Sequence, residues 1–423
     1  MQAEIVSIGN ELLNGRKVNS NATFIAASLA GAGIDVERVT ACSDRISVIC
    51  GVLEEALSRS DYVLVTGGLG PTADDRTKKA VMKLLRRGLT FDVGAFDNLV
   101  TRIRKFGREL SPSMHDQAMV IEGAAVIPNT KGTAAGMIIG CGPSFNNHTL
   151  ILMPGVPVEM KAMMGLTVVP FFEKHTSSAI VHTQLRTAGI GESALSELIE
   201  GIEEALFQGT ELAYLPHVAG VDLMISTRGS EKDAVERENR AVTDAIVERV
   251  GRYIYTEGHR SFEETIGNML ADAAKSVAVA ESCTGGLVAS RLTDVSGSSA
   301  YFLQGFVVYS NKAKETALGV PAELIEKHGA VSEEVARAMA FGCLEKSGAD
   351  LALSTTGIAG PSGGTPDKPV GMLCLALAIK ETGEVRSKTL FMAGDRAQSK
   401  FRFSEAALRE LWEYLKHLEH ERL

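Results

Sequence analysis

Two short polar segments in the last third of the chain carry the residues best suited to covalent catalysis. The first, residues 280–286, reads Ala-Glu-Ser-Cys-Thr-Gly-Gly and places Ser282 between a predicted strand (276–280) and a predicted helix (287–292). A small nucleophile at such a turn lies near backbone N–H groups and a helix N-terminus, which stabilise developing negative charge. The alternative is a turn in which Ser282 or Thr284 only caps the helix.

The second segment, residues 309–314, offers a base for this serine. Histidines of the last third are His328 and a pair in the charged C-terminal tail, His417 and His420. A lysine can replace histidine as the base if burial lowers its pKa, and Ser–Lys pairs are a known variant of the catalytic triad. Lys314 or Lys312 could serve, although two ordinary surface lysines would give the same pattern.

Two further segments are suited to binding the substrate. Residues 354–364 combine hydroxyls and glycines after the predicted strand 351–353, which suits an oxyanion or a phosphate but also a flexible connector. Arg396 follows a Gly-Asp pair and could hold a phosphate with two parallel hydrogen bonds. A surface salt bridge explains Arg396 equally well.

The first third of the chain has three unusual loops, at residues 9–13, 66–77 and 129–136. The first two follow predicted strands, and ligands of open parallel sheets bind at the carboxyl ends of strands. The glycines of the second loop expose N–H groups, and a helix predicted to begin near Ala73 could receive a phosphate. Asp74 and Asp75 beside a phosphate would favour a shared cation such as Mg²⁺, with Glu11 and Asp44 as further possible ligands. Helix capping by the two aspartates is the alternative.

The surrounding elements predict how these loops are positioned. Buried strands at 4–8, 35–39, 62–65 and 149–153 alternate with helices, which favours a parallel sheet covered on both faces. Residues 182–254 predict a smaller α+β unit. A capping box at 261–264 predicts the helix that opens the last domain.

Composition excludes several classes of protein. A chain of 423 residues predicts two or three domains. Its net charge of −9 and the lack of a basic block argue against direct nucleic-acid binding. No apolar stretch is long enough to span a bilayer, and no leader pattern opens the chain. The six cysteines form no C-x-x-C pair, so we expect neither a zinc site nor a redox motif and place the protein in a reducing cytoplasm.

Together these segments resemble the CinA family (competence/damage-inducible protein). The N-terminal resemblance rests on the loops above, on Gln117-Ala118 and on residues 153–161, Met-Pro-Gly-Val-Pro-Val-Glu-Met-Lys. The four C-terminal segments resemble, in order, the nicotinamide-nucleotide amidase domain of that family. Two positions depart from the family pattern: Asn10 stands where threonine is common, and Ala135 where proline is common.

The resemblance implies an α/β protein of three domains. Residues 1–170 would form a parallel-sheet, three-layer domain like the molybdopterin-binding fold, associated in the family with metal-dependent hydrolysis of ADP-ribose. Residues 178–256 would form a small KH-like α+β domain, and residues 261–423 the α/β amidase domain.

The resemblance also assigns roles to residues. It makes Ser282 the nucleophile and Lys314 the general base, with Tyr309 beside them and without a cofactor. Expected substrate contacts are Cys283, Thr284, Gly285, Thr355, Thr356, Gly357 and Arg396. In the N-terminal domain the expected nucleotide-binding residues are Glu11, Gly67, Gly68, Gly70, Thr72, Asn129, Gly132 and Gly136. Asp44 and Asp75 would hold a divalent ion of the Mg²⁺ or Co²⁺ type.

The expected function is therefore that of a bifunctional pyridine-nucleotide salvage enzyme. We expect a homodimer whose partners are small pyridine nucleotides, with no membrane and no direct nucleic-acid contact. Two alternatives remain: the N-terminal domain could bind a pterin or nucleotide without turnover, or the whole protein could act as a partner of the competence and recombination machinery.

Overall fold

A computed structural model describes residues 1–70, 75–105, 117–175, 179–217, 220–392 and 394–422. The chain packs into two compact units. One contains Met1–His182 and Thr227–Glu238, and the other contains Thr183–Ser226 and Asn239–Leu423.

The first unit is built on a six-stranded sheet with the order β2-β1-β3-β8-β7-β6. Its pairs β1/β2, β1/β3 and β3/β8 are parallel, as predicted, whereas β7 pairs antiparallel with both of its neighbours. Strands β4 and β5 form a separate antiparallel ribbon. The strands are β1 Gln2–Ile8, β2 Asp35–Cys42, β3 Tyr62–Thr66, β4 Leu89–Phe91, β5 Met119–Ile121, β6 Ala125–Ile127, β7 Gly136–Gly140 and β8 Thr149–Met153.

Helices cover both faces of this sheet because its central strands are apolar on both sides. In β3, Val63 and Val65 face one core with Leu53, while Leu64 faces the other with Phe172. The three-layer arrangement is therefore confirmed. The helices are α1 Asn10–Leu13, α2 Ser20–Gly31, α3 Ile46–Arg59, α4 Thr77–Leu85, α5 Val93–Lys105, α6 Pro157–Met163 and α7 Val169–His175, with a π-helical turn at Met164–Val168 and a 3₁₀ turn at Pro143–Phe145.

The middle of the chain forms the predicted small α+β fold. Its four-stranded sheet has the order β10-β11-β9-β12. The elements are β9 Ala179–Thr187, α8 Glu192–Ile199, β10 Thr210–Pro216, β11 Val221–Gly229, α9 Lys232–Val250 and β12 Ile254–Glu257, with 3₁₀ turns at Glu203–Ala205 and Gly251–Tyr253.

The last third forms a five-stranded mixed sheet with the order β14-β13-β15-β16-β17. Strand β13 lies between β14 and β15 and is parallel to both, while β16 and β17 continue antiparallel. The strands are β13 Val277–Glu281, β14 Phe302–Val307, β15 Leu351–Gly357, β16 Met372–Ile379 and β17 Val385–Phe391.

Helices on both faces bury this sheet in two apolar clusters, one around Leu353 and Trp412 and one around Ala352 and Met339. The capping box is confirmed, since the Ser261 hydroxyl accepts from the Glu264 N–H and the Glu264 carboxylate accepts from the Ser261 N–H. The helices are α10 Phe262–Asp272, α11 Leu287–Thr293, α12 Asn311–Leu318, α13 Ala322–His328, α14 Glu333–Ser347 and α15 Arg396–Arg422, with a 3₁₀ turn at Ser298–Ala300.

Two general expectations can be compared with the described residues. Within the described ranges, no helix combines the length and the apolar character needed to cross a membrane. All six cysteines are free thiols, and all but Cys50 are buried.

Candidate active site

Ser282 lies on the turn between β13 and α11, where the sequence predicts it. Its N–H donates to the Thr355 carbonyl (2.9 Å), which fixes the turn against the neighbouring strand. Only 8% of the residue is exposed. The hydroxyl is therefore held at the carboxyl end of a central parallel strand, the edge at which ligands of α/β sheets bind.

Lys314 is brought to this hydroxyl by helix α12. The helix begins after Ser310, whose hydroxyl accepts from the Ala313 N–H. One turn later Lys314 points into the protein, with 1% exposure, and its Nζ lies 3.1 Å from Oγ of Ser282. The second lysine that the sequence offered, Lys312, is 77% exposed and pairs with Glu315 at 2.9 Å. Helical periodicity thus separates the two lysines, because residues two apart face different sides.

The surroundings of Lys314 favour the neutral amine. Burial lowers the pKa of Lys314 from its ordinary value. Among the described residues its hydrogen-bond partners are Ser282 Oγ and the carbonyls of Val308 (3.1 Å) and Tyr309 (3.5 Å). A neutral amine has two N–H groups for the two carbonyls, and its lone pair is then left to accept the Ser282 proton. This geometry suits a serine nucleophile with a lysine as its base.

Glu281 is a site residue that the sequence reasoning missed. Its carboxylate is buried and accepts from the N–H groups of Gly286 (2.9 Å), Val288 (3.1 Å) and Ala289 (2.8 Å). An acidic residue at a strand end, just before a helix start, is the signal that could have found it.

The role of Glu281 corrects two expectations. The N-terminus of α11 is already occupied by this carboxylate, so the helix dipole is not open to an oxyanion. The helix is also not capped by Ser282 or Thr284, because its N-cap residue is Gly286. The turn also contains the N–H groups of residues 283–285, which lie between Ser282 and the N-cap residue of the helix.

A cavity of about 260 Å³ opens onto Ser282 and Lys314. Seven of the predicted site residues line it: Ser282, Lys314, Tyr309, Cys283, Thr356, Gly357 and Arg396. Burial raises the pKa of the Cys283 thiol to about 12, so this neighbour of Ser282 stays protonated at neutral pH. Of the two side chains, the Ser282 hydroxyl is the one that forms a hydrogen bond with the Lys314 amine.

Three predicted substrate contacts lie outside the cavity lining. Two of them, Thr284 and Thr355, are buried, and their hydroxyls form a hydrogen bond with each other at 2.7 Å. The third is Gly285, which does not line the cavity. The sequence predicts that residues 354–357 belong to a loop. They instead continue strand β15 to Gly357. Thr356 lines the cavity, and its hydroxyl donates to the Ala330 carbonyl at 2.7 Å.

Arg396 and Tyr309 lie at the open side of this cavity. The Arg396 guanidinium donates to the Gly360 carbonyl (2.8 Å) and to the Tyr309 hydroxyl (3.0 Å). Tyr309 is 62% exposed, so its ring is in contact with solvent. These two side chains can meet the outer part of a ligand whose reacting group reaches Ser282.

The first unit has a larger cavity, of about 560 Å³, at the carboxyl ends of β1 and β3. The predicted residues that line it are Glu11, Asp44, Gly67, Gly68, Gly70 and Asp75. Asn129, Gly132 and Gly136 do not line it, and Thr72 lies outside the described residues.

The glycines of this loop are required by the backbone. Gly67 and Gly68 have φ of +108° and +68°, and an added Cβ would lie 2.3 Å from the Ile8 carbonyl oxygen and 2.2 Å from Thr77 Oγ1, respectively. Thr77 closes the loop by donating from its hydroxyl to the Gly67 carbonyl at 2.8 Å. Helix α4 begins at Thr77, and its N-cap residue, Arg76, makes no side-chain cap bond. Ala73, where the sequence predicts a helix start, lies outside the described residues. Asp74 lies outside the described residues.

Asn129 has a structural position in the third loop. Its side chain donates to the Ala134 carbonyl (2.8 Å) and to the Glu159 carboxylate (2.7 Å), and accepts from the N–H groups of Lys131 and Gly132. A Cβ at Gly132 would lie 2.0 Å from Cδ of Glu159. The loop is thus tied to the carboxylate of Glu159, and Glu159, Thr133 and Ala134 line the cavity, whereas Asn129 does not.

The described residues contain no group of three or more His, Cys, Asp or Glu side chains placed to hold a metal ion. Asp44 lines the cavity and accepts from the Asn10 amide at 2.8 Å, and Asp75 lines the same cavity. Two carboxylates suit Mg²⁺ when phosphate oxygens of a substrate complete its shell.

Comparison with known proteins divides the chain in the same order. Residues 4–174 match the family described as "Probable molybdopterin binding domain", 182–256 the "Damage-inducible protein CinA KH domain", and 259–415 the "CinA C-terminal domain". A "CinA-like protein" of Chlorobium limicola is 60% identical over 98% of this chain and 97% of its own. A "CinA-like protein" of Chlorobium phaeovibrioides is 57% identical over 98% of each chain.

Among solved structures, a CinA-superfamily protein of Klebsiella pneumoniae aligns with 31% identity and a TM-score of 0.36, over 37% of this chain and 99% of that one. Identity and coverage at the level of the Chlorobium proteins show the family. The chain belongs to the CinA-like proteins, with a molybdopterin-binding-like domain, a KH domain and a CinA C-terminal domain.

Proposed function

We propose that the Ser282 cavity hydrolyses the carboxamide of nicotinamide mononucleotide to nicotinate mononucleotide and ammonia. The observation that supports this most strongly is the 3.1 Å separation of Lys314 Nζ and Ser282 Oγ, with both groups buried. A serine hydroxyl is a weak nucleophile unless a neighbouring base removes its proton, and a desolvated lysine can do so.

The proposed reaction has two halves. Neutral Lys314 accepts the Ser282 proton while Oγ attacks the carboxamide carbon, and the N–H of Cys283, the next residue along the turn and part of the cavity lining, binds the oxyanion. The resulting ammonium of Lys314 returns the proton to the leaving nitrogen, and ammonia departs from an acyl-serine. Water then attacks the ester, with Lys314 again as base, and releases the carboxylic acid and the free hydroxyl.

The mouth of the cavity suggests why the substrate would be a nucleotide. Arg396 is the cationic side chain nearest the opening among the lining residues, and a guanidinium suits a phosphate. With the carboxamide at Ser282, the ribose phosphate would reach toward Arg396 and Tyr309.

Ammonia release from nicotinamide mononucleotide, measured without added metal, tests the proposal. Wild type and Ser347→Ala, a serine on α14 remote from the cavity lining, should release ammonia at similar rates. Ser282→Ala should lose the activity by about a thousandfold or more. Equal rates for Ser282→Ala and wild type would exclude the proposed nucleophile.

We also propose that the 560 Å³ cavity of the first unit hydrolyses ADP-ribose with a divalent ion. Its glycine loop and the carboxylates of Asp44 and Asp75 support this, since the ion would share phosphate oxygens with the substrate. Such an ion supplies charge stabilisation at the phosphates.

The test of this second activity is AMP release from ADP-ribose in the presence of Mg²⁺ or Co²⁺. It compares wild type, Asp75→Asn and the control Asp97→Asn, which changes an exposed aspartate. We expect loss in Asp75→Asn alone. ADP-ribose binding by calorimetry without AMP release in wild type would instead favour a binding module, and neither binding nor release would favour the role of a partner protein.

A further inference from the structure

Lys400 is a cationic side chain beside the Ser282 turn that the proposed reaction does not use. A Cβ added at Gly285 would lie 3.5 Å from Nζ of Lys400 and 3.9 Å from its Cε, so the amine borders the turn that carries the nucleophile. Lys400 is partly buried, and it makes no hydrogen bond or ion pair with any described residue. An ammonium that is partly removed from water and has no partner is available to an anionic ligand.

Helix α15 places Lys400 on the same face as Arg396. Residues four apart are neighbours on a helix surface, and Phe403 continues this face about one turn later. Phe403 is fully buried in one apolar cluster with Cys283, which packs the helix against the turn. Arg396 lines the cavity that opens onto Ser282, and Lys400 lies just outside its lining. The two cations are therefore one helical turn apart beside the same cavity.

The acidic side chains of this region leave both cations without an ion pair. Glu281 is buried and accepts from three backbone N–H groups of the turn and helix that follow it. Asp395 accepts from the Gln398 N–H at 2.9 Å and so caps the first turn of α15. The partners of the Arg396 guanidinium are a carbonyl and a phenol hydroxyl, which are both uncharged. Two cations that no carboxylate neutralises suit a phosphate dianion.

We propose that Lys400 and Arg396 together bind the phosphate of the substrate, and that Lys400 makes the cavity prefer the mononucleotide to the riboside. The inference rests on the amidase proposed above and adds a recognition residue to it. A lysine carries three N–H donors on a flexible stem, so its ammonium can reach from the Gly285 turn to a phosphate at the mouth of the cavity. Nicotinamide riboside has no phosphate and gains nothing from this charge.

Ammonia release from nicotinamide mononucleotide and from nicotinamide riboside separates recognition from a role in the reaction. In Lys400→Met, KM for the mononucleotide should rise by about tenfold or more with kcat within about twofold, because a charge-assisted contact is lost. The preference for the mononucleotide, as the ratio of the two kcat/KM values, should fall by the same factor. Lys400→Arg keeps the charge and should restore the preference to within about threefold of wild type. The control Lys346→Met removes an exposed lysine of α14 and should match wild type.

Binding of ribose 5-phosphate to the full-length protein tests the same contact without turnover. Measured by calorimetry with a chelator of divalent ions, the affinity should fall by about tenfold or more in Lys400→Met and in Arg396→Gln, but not in Lys346→Met. The thermal midpoint of each variant checks folding, and Lys400→Gln replaces the methionine variant if that one does not fold.

The two assays distinguish the failure of this inference from the failure of the amidase proposal. A loss of ribose 5-phosphate affinity in Lys400→Met, in a protein that releases no ammonia, would reject the amidase and keep the phosphate site. Absence of ribose 5-phosphate binding to wild type, or unchanged affinity in Lys400→Met, would overturn the role of Lys400. A fall in kcat with unchanged KM would overturn it as well, because the charge would then act on the reaction and not on the phosphate.

Discussion

The Ser282 cavity and the glycine-loop cavity of the first unit lie at comparable places, at the carboxyl ends of parallel strands, but the chain has assembled them to different degrees. At Ser282 the hydroxyl and a buried amine are already 3.1 Å apart. In the first unit, Asp44 and Asp75 line an open cavity without a third ligand among the described residues.

This difference follows from the chemistry proposed for each site. A serine is activated by a base within hydrogen-bonding reach, and for a lysine to act as that base the protein must desolvate its amine. Carboxylates that share a cation with a phosphate can wait for the ligand to complete the arrangement. A Ser–Lys pair can therefore be recognised from the protein's own side chains. A cation site that is shared with a substrate has only part of its ligands in the protein.

The largest expected effect tests whether the Ser282 site is as fully assembled as its geometry indicates. Lys314→Met should lower ammonia release by about a thousandfold or more, and Ser282→Ala/Lys314→Met should be no worse than either single variant, because the two residues act as a unit. The matched change Lys312→Met removes an exposed lysine of the same helix and should keep the rate within about twofold. Similar losses for both lysine variants would contradict the assignment.

A smaller effect is expected at the turn that carries the nucleophile. Glu281→Gln places an amide where three backbone N–H groups now meet a carboxylate, and its NH₂ would face donors. We expect the free energy of unfolding to fall by about 1–3 kcal/mol and kcat to fall by about tenfold or more. Steady-state kinetics and denaturant unfolding measure both quantities. Unchanged kcat in a destabilised variant would show that Glu281 stabilises the fold without positioning Ser282.

The smallest effect is expected at the mouth. Tyr309→Phe removes the hydroxyl that accepts from Arg396, while the Gly360 carbonyl still holds the guanidinium. Because one exposed hydrogen bond contributes little, KM should rise by no more than about fivefold with kcat unchanged. A large fall in kcat would instead place Tyr309 among the reacting groups and extend the assembled site to the surface.

The sequence predicts the fold well where a local pattern decides it. Strand Thr149–Met153 and the start of the helix at Phe262 are confirmed to the residue, because a buried apolar run and a capping box are both local signals. The antiparallel edge strands of both sheets were not predicted, because the pattern of a buried strand does not give its direction. The apolar pattern of β15 stops at Leu353, so the sequence predicts the end of the strand there, although the strand continues through three hydroxyl residues to Gly357.

Prediction at the site depends in the same way on distance along the chain. The turn that holds Ser282 could be predicted from its neighbours, and the resemblance to the CinA family named Lys314 over Lys312. The contact of Thr284 with Thr355 joins positions 71 residues apart, so a serine- or threonine-rich motif alone could not show that these hydroxyls face each other and not a substrate. Glu281 was overlooked because its carboxylate turns back to the helix that follows.

The protonation state of Lys314 tests the central claim most directly. In protein labelled with carbon-13 at the lysine ε-carbon, an NMR titration follows this group, with the Lys314→Met spectrum for assignment. Because burial lowers the pKa, the amine should lose its proton below the ordinary value of 10.5, and ammonia release should rise with pH through that same transition as the base becomes neutral. A Lys314 pKa at or above 10.5, or a rate that falls as the amine is deprotonated, would contradict the account.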